Sequence, residues 1–273
     1  MRRKNDNAKN KMLHLTAYCN SQISNTTDLM IAASILKMTE NNVMLSLEQL
    51  ANNASVSQAS VHRFIRKAGF DSYEDFRACY LNAVLEMNIN RKKMHRQTFG
   101  IIEDNAKMLD ILYENAQSNM KETLRKLDLN QMKRIAGILH NARQVTFLGN
   151  EHELAVFHTV QLDLIGEGIP AFLQYHAALQ KNVLHNLQDG DVVVVINAFE
   201  KWLGEDMRME LSDLKNRKDI RIVGFFQEDV ESLRKLSDEY CLYGEPDSHN
   251  QAFYSLLLLS QMLSEMMYEM WLS

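Results

Sequence analysis

The chain has 273 residues, 46% hydrophobic and 24% charged, a balance that supports packed cores in about two domains. With only 10 Gly and 2 Pro, collagen-like, low-complexity and turn-rich all-β architectures are excluded and long helices are expected. The net charge of -5 hides a split: residues 1–140 are net +6 and residues 141–273 net -11, so the basic half alone suits an anionic partner.

Met1 to Lys11 is polar and basic and reads as a tail, with no signal-peptide pattern. From Thr27 to Thr39 the apolar residues Leu29, Ile31, Ala32, Ile35 and Leu36 recur at helical spacing. Ser46 with Gln49 forms a capping box for a helix over Leu47 to Asn53, which turns Leu47, Leu50 and Ala51 inward. After a short turn, Ser57 caps a second helix, Gln58 to Ala68, and Gly69 follows as its left-handed stop. Ser72 with Asp75 opens a fourth helix to about Met87. A basic cluster, Arg91-Lys92-Lys93 with Arg96, precedes a helical pattern from about Glu103 to Lys126. Asp128 with Gln131 is predicted to form another capping box, for a helix to about Asn141.

After Arg143 the pattern changes. Val145 to Leu148 ends at Gly149 and is followed by a helical stretch from Glu151 to Gly166. Asp191 to Ile196 is a continuous β-branched run, as in a strand covered on both faces of a parallel sheet, and Ile220 to Phe226 follows as a further strand segment. A helix over Leu203 to Asn216 separates them. A short strand, Tyr240 to Leu242, precedes a last helix over His249 to Leu272. Its strongly apolar run, Ala252 to Ser264, is short of the roughly 20 residues a membrane span needs. The alternation predicts an α/β domain with a doubly wound parallel sheet behind an all-helical N-terminal domain. The expected boundaries are 1–87 for the helical domain, 88–130 for a helical linker and 131–273 for the α/β domain.

The segment LEQLANNASVSQASVHRFIRK has the order of a helix-turn-helix. In its second helix Val61, Phe64 and Ile65 fall on one face at i, i+3, i+4. The other face presents Gln58, Ala59, His62, Arg63, Arg66 and Lys67. In such motifs the start of the second helix enters the DNA major groove. Ser57, Ala59 and Ser60 are small enough for close approach. Gln58 suits adenine and Arg63 guanine, whereas Arg66 and Lys67 suit phosphates.

These residues carry a resemblance to a known family. Ser46 to Ala54, Val56 to Phe64 and Lys67 to Phe70 resemble the RpiR family of bacterial transcriptional regulators. Ser60 stands for its usual Thr and Ala68 for its usual Leu. That family joins an N-terminal helix-turn-helix to a C-terminal sugar isomerase (SIS) domain. The resemblance implies a homodimer or higher homo-oligomer that binds a near-palindromic DNA operator in the cytoplasm, with a small-molecule effector as a further expectation. The odd, scattered Cys19, Cys79 and Cys241 agree with a reducing compartment.

Two loops depart from the SIS pattern. A GxGxS-like turn is replaced by Gly149-Asn150-Glu151-His152-Glu153, and a SxSGxT-like loop by Asn197-Ala198-Phe199-Glu200-Lys201-Trp202. The added carboxylates would repel a phosphate, which Lys201 offsets in part. The candidate ligand residues are therefore Asn150, Glu151, His152, Glu153, Asn197 and Lys201, with a phosphosugar disfavoured. His152-Glu153 does not continue into HExxH, because Val156 stands at the second histidine. No catalytic residue, metal or cofactor is expected. The alternatives are a sugar-phosphate isomerase or a module that binds protein in place of DNA.

Overall fold

The computed structural model describes residues 26–37, 46–68, 70–81, 105–174, 180, 183–197, 205–216, 219–245 and 252–272. The chain forms two compact units, residues 1–101 and 102–273.

The first unit contains α1 (Thr26–Lys37), α2 (Leu47–Asn53), α3 (Gln58–Lys67) and α4 over 73–81. The capping box of α2 forms as the sequence predicts. Ser46 Oγ accepts the Gln49 N–H at 3.2 Å, and Gln49 Oε1 accepts the Ser46 N–H at 2.8 Å. The α2–α3 turn is a Schellman motif. Ser55 sits in the left-handed region with φ 54°, Val56 N–H reaches Ala51 O at 2.9 Å, and Ser55 N–H reaches Asn52 O at 3.0 Å. Ser57 Oγ then accepts the Ser60 N–H at 3.1 Å and starts α3. Ile31, Ala32 and Ile35 of α1 share one core with Leu50, Ala51, Val61, Phe64, Ile65, Phe70 and Phe76. Leu29, predicted for that stripe, is exposed instead. The Tyr80 hydroxyl donates to Ile35 O at 3.0 Å and ties α4 to the end of α1. Gly69, the Met1–Lys11 tail and the 91–96 basic cluster lie outside the described residues.

The second unit contains α5 (Asn105–Lys126), α6 (Leu129–His140), β1 (Gln144–Leu148), α7 (Glu151–Val156), α8 (His158–Gly166) and β2 (Ala171–Leu173). It continues with β3 (Asp191–Asn197), α9 (Glu205–Lys215), β4 (Arg221–Phe226), α10 (Glu231–Leu236), β5 (Glu239–Leu242) and α11 (Ala252–Leu272). The five strands are all parallel, in the order β2-β1-β3-β4-β5. Alternation along β3 explains why its run is continuously apolar. Val192, Val194 and Ile196 enter the core shared with α6, α8 and α11, while Val193 and Val195 enter the opposite core with Leu211, Leu214 and Leu233. Burial on both faces removes the polar half of the usual strand pattern.

Three local expectations differ from the structure. The stretch from Glu151 to Gly166 is two helices, broken at Phe157, whose ring is buried between Phe147 and Phe225 at centroid distances of 5.5 and 5.1 Å. Asp128 caps α6 through the Asn130 N–H at 2.9 Å, without Gln131, whose amide turns to Glu239 Oε2 at 3.3 Å. Strand β2 had no sequence counterpart, being three residues long and exposed at Phe172.

Candidate nucleic-acid interface and effector cleft

The amphipathic register of α3 places its two kinds of residue on opposite sides. Val61, Phe64 and Ile65 are fully buried. Ser57, Gln58, Ala59, His62, Arg63, Arg66 and Lys67 are exposed, and Ser60 is partly so. The structure thus brings the whole predicted DNA-facing set onto one surface. The set is pre-ordered at its start, where the Ser57 and Ser60 hydroxyls lie 3.0 Å apart and Arg63 Nη2 donates to Ser60 Oγ at 3.2 Å. Lys67 differs from its neighbours. Its ammonium lies 2.9 Å from Asp28 Oδ2 on α1, a carboxylate whose side chain is only 13% exposed. Nothing in the local pattern pointed to Asp28, which is 39 residues away in sequence.

In the second unit the strand order reverses between β1 and β3, and open α/β sheets bind ligands outside the carboxyl ends of strands at such a point. Gly149 stands there because a Cβ at this position would come within 3.0 Å of Ile196 O. Asn150 begins α7. The Glu153 carboxylate, on a residue 7% exposed, turns back onto it, with Oε2 accepting from both the Asn150 N–H and its side-chain amide at 3.3 Å. Burial raises the Tyr243 hydroxyl pKa well above its usual value, and the nearby Glu153 charge adds to the shift. Gln180, which no sequence pattern marks, is buried at the same mouth. Its amide donates to Gly149 O at 2.9 Å and Gln174 O at 2.7 Å. Of the predicted ligand residues, Asn150 and Glu153 are joined to each other and His152 is exposed. The side chains of Glu151 and Asn197, and Lys201 with its loop, lie outside the described residues.

Fold and surface together define a two-unit protein: a helix-turn-helix unit with an exposed basic face on its second helix, followed by a doubly wound parallel-sheet unit. Residues 18–83 match the helix-turn-helix domain of the rpiR family. The chain is 24% identical over 173 residues to the HTH-type transcriptional regulator HexR of Escherichia coli (strain K12), covering 61% of this chain and 56% of that one. It therefore spans little more than half the length of that relative. The fold resembles the Vibrio vulnificus NanR protein complexed with ManNAc-6P, with a TM-score of 0.51, 19% identity and coverage of 95% and 92%. It also resembles the sugar isomerase domain of the RpiR transcription factor from Sphaerobacter thermophilus, with a TM-score of 0.51, 15% identity and coverage of 58% and 88%. The second unit accordingly has a SIS-type fold. No helix among the described residues is long and apolar enough to cross a membrane.

Proposed function

We propose that this chain is a DNA-binding transcriptional regulator that acts in the cytoplasm as a homodimer on a near-palindromic double-stranded operator. The observation that carries the reading is the single exposed surface of α3, which collects Ser57, Gln58, Ala59, Ser60, His62, Arg63 and Arg66 over a buried Val61-Phe64-Ile65 seam. Groove entry by such a helix needs this division, with apolar residues seating it and donors facing out. The rpiR-family match of residues 18–83 supports it. Selecting genomic fragments on the purified protein tests it. Enriched fragments sharing an inverted repeat are expected, and binding indifferent to sequence and salt would refute it.

The SIS-type unit serves dimerisation and effector binding rather than catalysis. NanR of Vibrio vulnificus was solved with ManNAc-6P. For this chain a phosphosugar is disfavoured, since Glu153 already accepts the Asn150 N–H and sets a negative charge at the mouth of the cleft. Calorimetric titration with ManNAc-6P and other phosphosugars is expected to show no binding. Micromolar affinity that is altered by Glu153→Gln would overturn this part of the reading.

A further inference from the structure

We infer that Asp28 is a positioning residue for the DNA-facing helix, and that it keeps Lys67 out of the phosphate contacts. The inference rests on α3 facing DNA. Asp28 lies in the first turn of α1 and Lys67 in the last turn of α3. An anion near a helix N-terminus and a cation near a C-terminus are each favourably placed against the helix dipoles. The 2.9 Å contact pins the far end of α3, while the Ser57 cap holds its near end.

The two partners are unequal. Lys67 is 53% exposed, but the Asp28 side chain is only 13% exposed. A carboxylate that water scarcely reaches depends on its protein partners. Moving Lys67 to a phosphate would take the ammonium away from that carboxylate. A phosphate that came to Lys67 in place would meet Asp28 directly behind it. The pair presents no net charge, so Lys67 releases no counterion when the duplex docks. The cations that count along α3 are Arg63 and Arg66. Lys67 acts through Asp28, fixing the tilt at which Gln58 and Arg63 are offered to the groove.

The experiment measures affinity for a mixed-sequence DNA duplex against salt, so it needs no operator. Each phosphate contact contributes about 0.9 to the log–log slope. Lys67→Met is expected to leave the wild-type slope unchanged. Asp28→Asn removes the carboxylate charge facing the ammonium and is expected to steepen the slope by about 0.9, so that its affinity gain over wild type shrinks roughly threefold between 50 and 200 mM salt. The double variant is expected to return to the wild-type slope. Circular dichroism checks that each variant is folded. Should either single variant fail to fold, the double variant, which removes both charges of the pair, decides by the same reading of its slope. A slope about 0.9 shallower in Lys67→Met shows a direct phosphate contact and overturns the inference with the DNA reading intact. A wild-type chain without salt-dependent affinity for the duplex overturns both.

Discussion

The Thr123 hydroxyl accepts the Gly244 N–H at 2.7 Å, joining the end of α5 to the turn after β5 across 121 residues. Around it, Asn119 Oδ1 accepts the Glu245 N–H at 2.9 Å and Lys126 Nζ donates to Gly244 O at 2.9 Å. Gly244 has φ 62°, and a Cβ there would come within 2.8 Å of Ala252 Cβ, so the turn needs glycine. Helix α5, read from sequence as part of a linker, is built into the second unit through this turn.

Thr123→Val keeps the shape of the side chain but leaves the buried Gly244 N–H without its acceptor. Such a loss costs about 1–3 kcal/mol. The second unit's unfolding midpoint is expected to fall by several degrees in calorimetry, with Thr123→Ser recovering most of it. An unchanged midpoint in Thr123→Val would remove this turn as an anchor for α5.

Ser55 carries the left-handed conformation of the α2–α3 turn without being glycine. A non-glycine residue there is strained by roughly 1–2 kcal/mol. Part of the relief in Ser55→Gly is offset by the greater freedom of glycine in the unfolded chain. A net gain of about 0.5–1 kcal/mol is expected in denaturant unfolding, with DNA affinity unchanged because the turn keeps its geometry.

Arg63 and Arg66 lie one turn apart on the exposed face of α3. Arg63→Ala is expected to cut the ratio of selected-fragment to mixed-duplex affinity by about 1–3 kcal/mol, the worth of one bidentate base pairing. Arg66→Ala is expected to weaken both duplexes alike and flatten the salt slope by about 0.9. Equal losses on both duplexes for Arg63→Ala would remove its base-reading role.

Cys241 lies on β5 and is 3% exposed, and burial pushes its thiol up to about 12. A free cysteine titrates at about 8.5, so at that pH Cys241 stays protonated while folded. Alkylation mapped by mass spectrometry is expected to spare Cys241 in the native protein and reach it after unfolding. Native labelling at rates near those of free cysteine would show that this strand opens.

What the sequence determined by itself is what short-range physics encodes. Ser46-Gln49 and Ser57-Ser60 form their caps because donor and acceptor lie within one helical turn. The Val61-Phe64-Ile65 spacing alone sets which side of α3 is buried and which is exposed. The run at Asp191 marked a covered parallel strand for the same reason. Tertiary structure decided the rest, because it depends on partners far apart in the chain. The three residues of β2 become a strand only by pairing with β1, and Phe157 breaks its helix to reach the pocket beside Phe147 and Phe225. The Glu153 carboxylate is held by both the backbone and side-chain amides of Asn150. Lys67, alike with Arg66 in sequence, gains an ion partner once α1 brings Asp28 to within 2.9 Å.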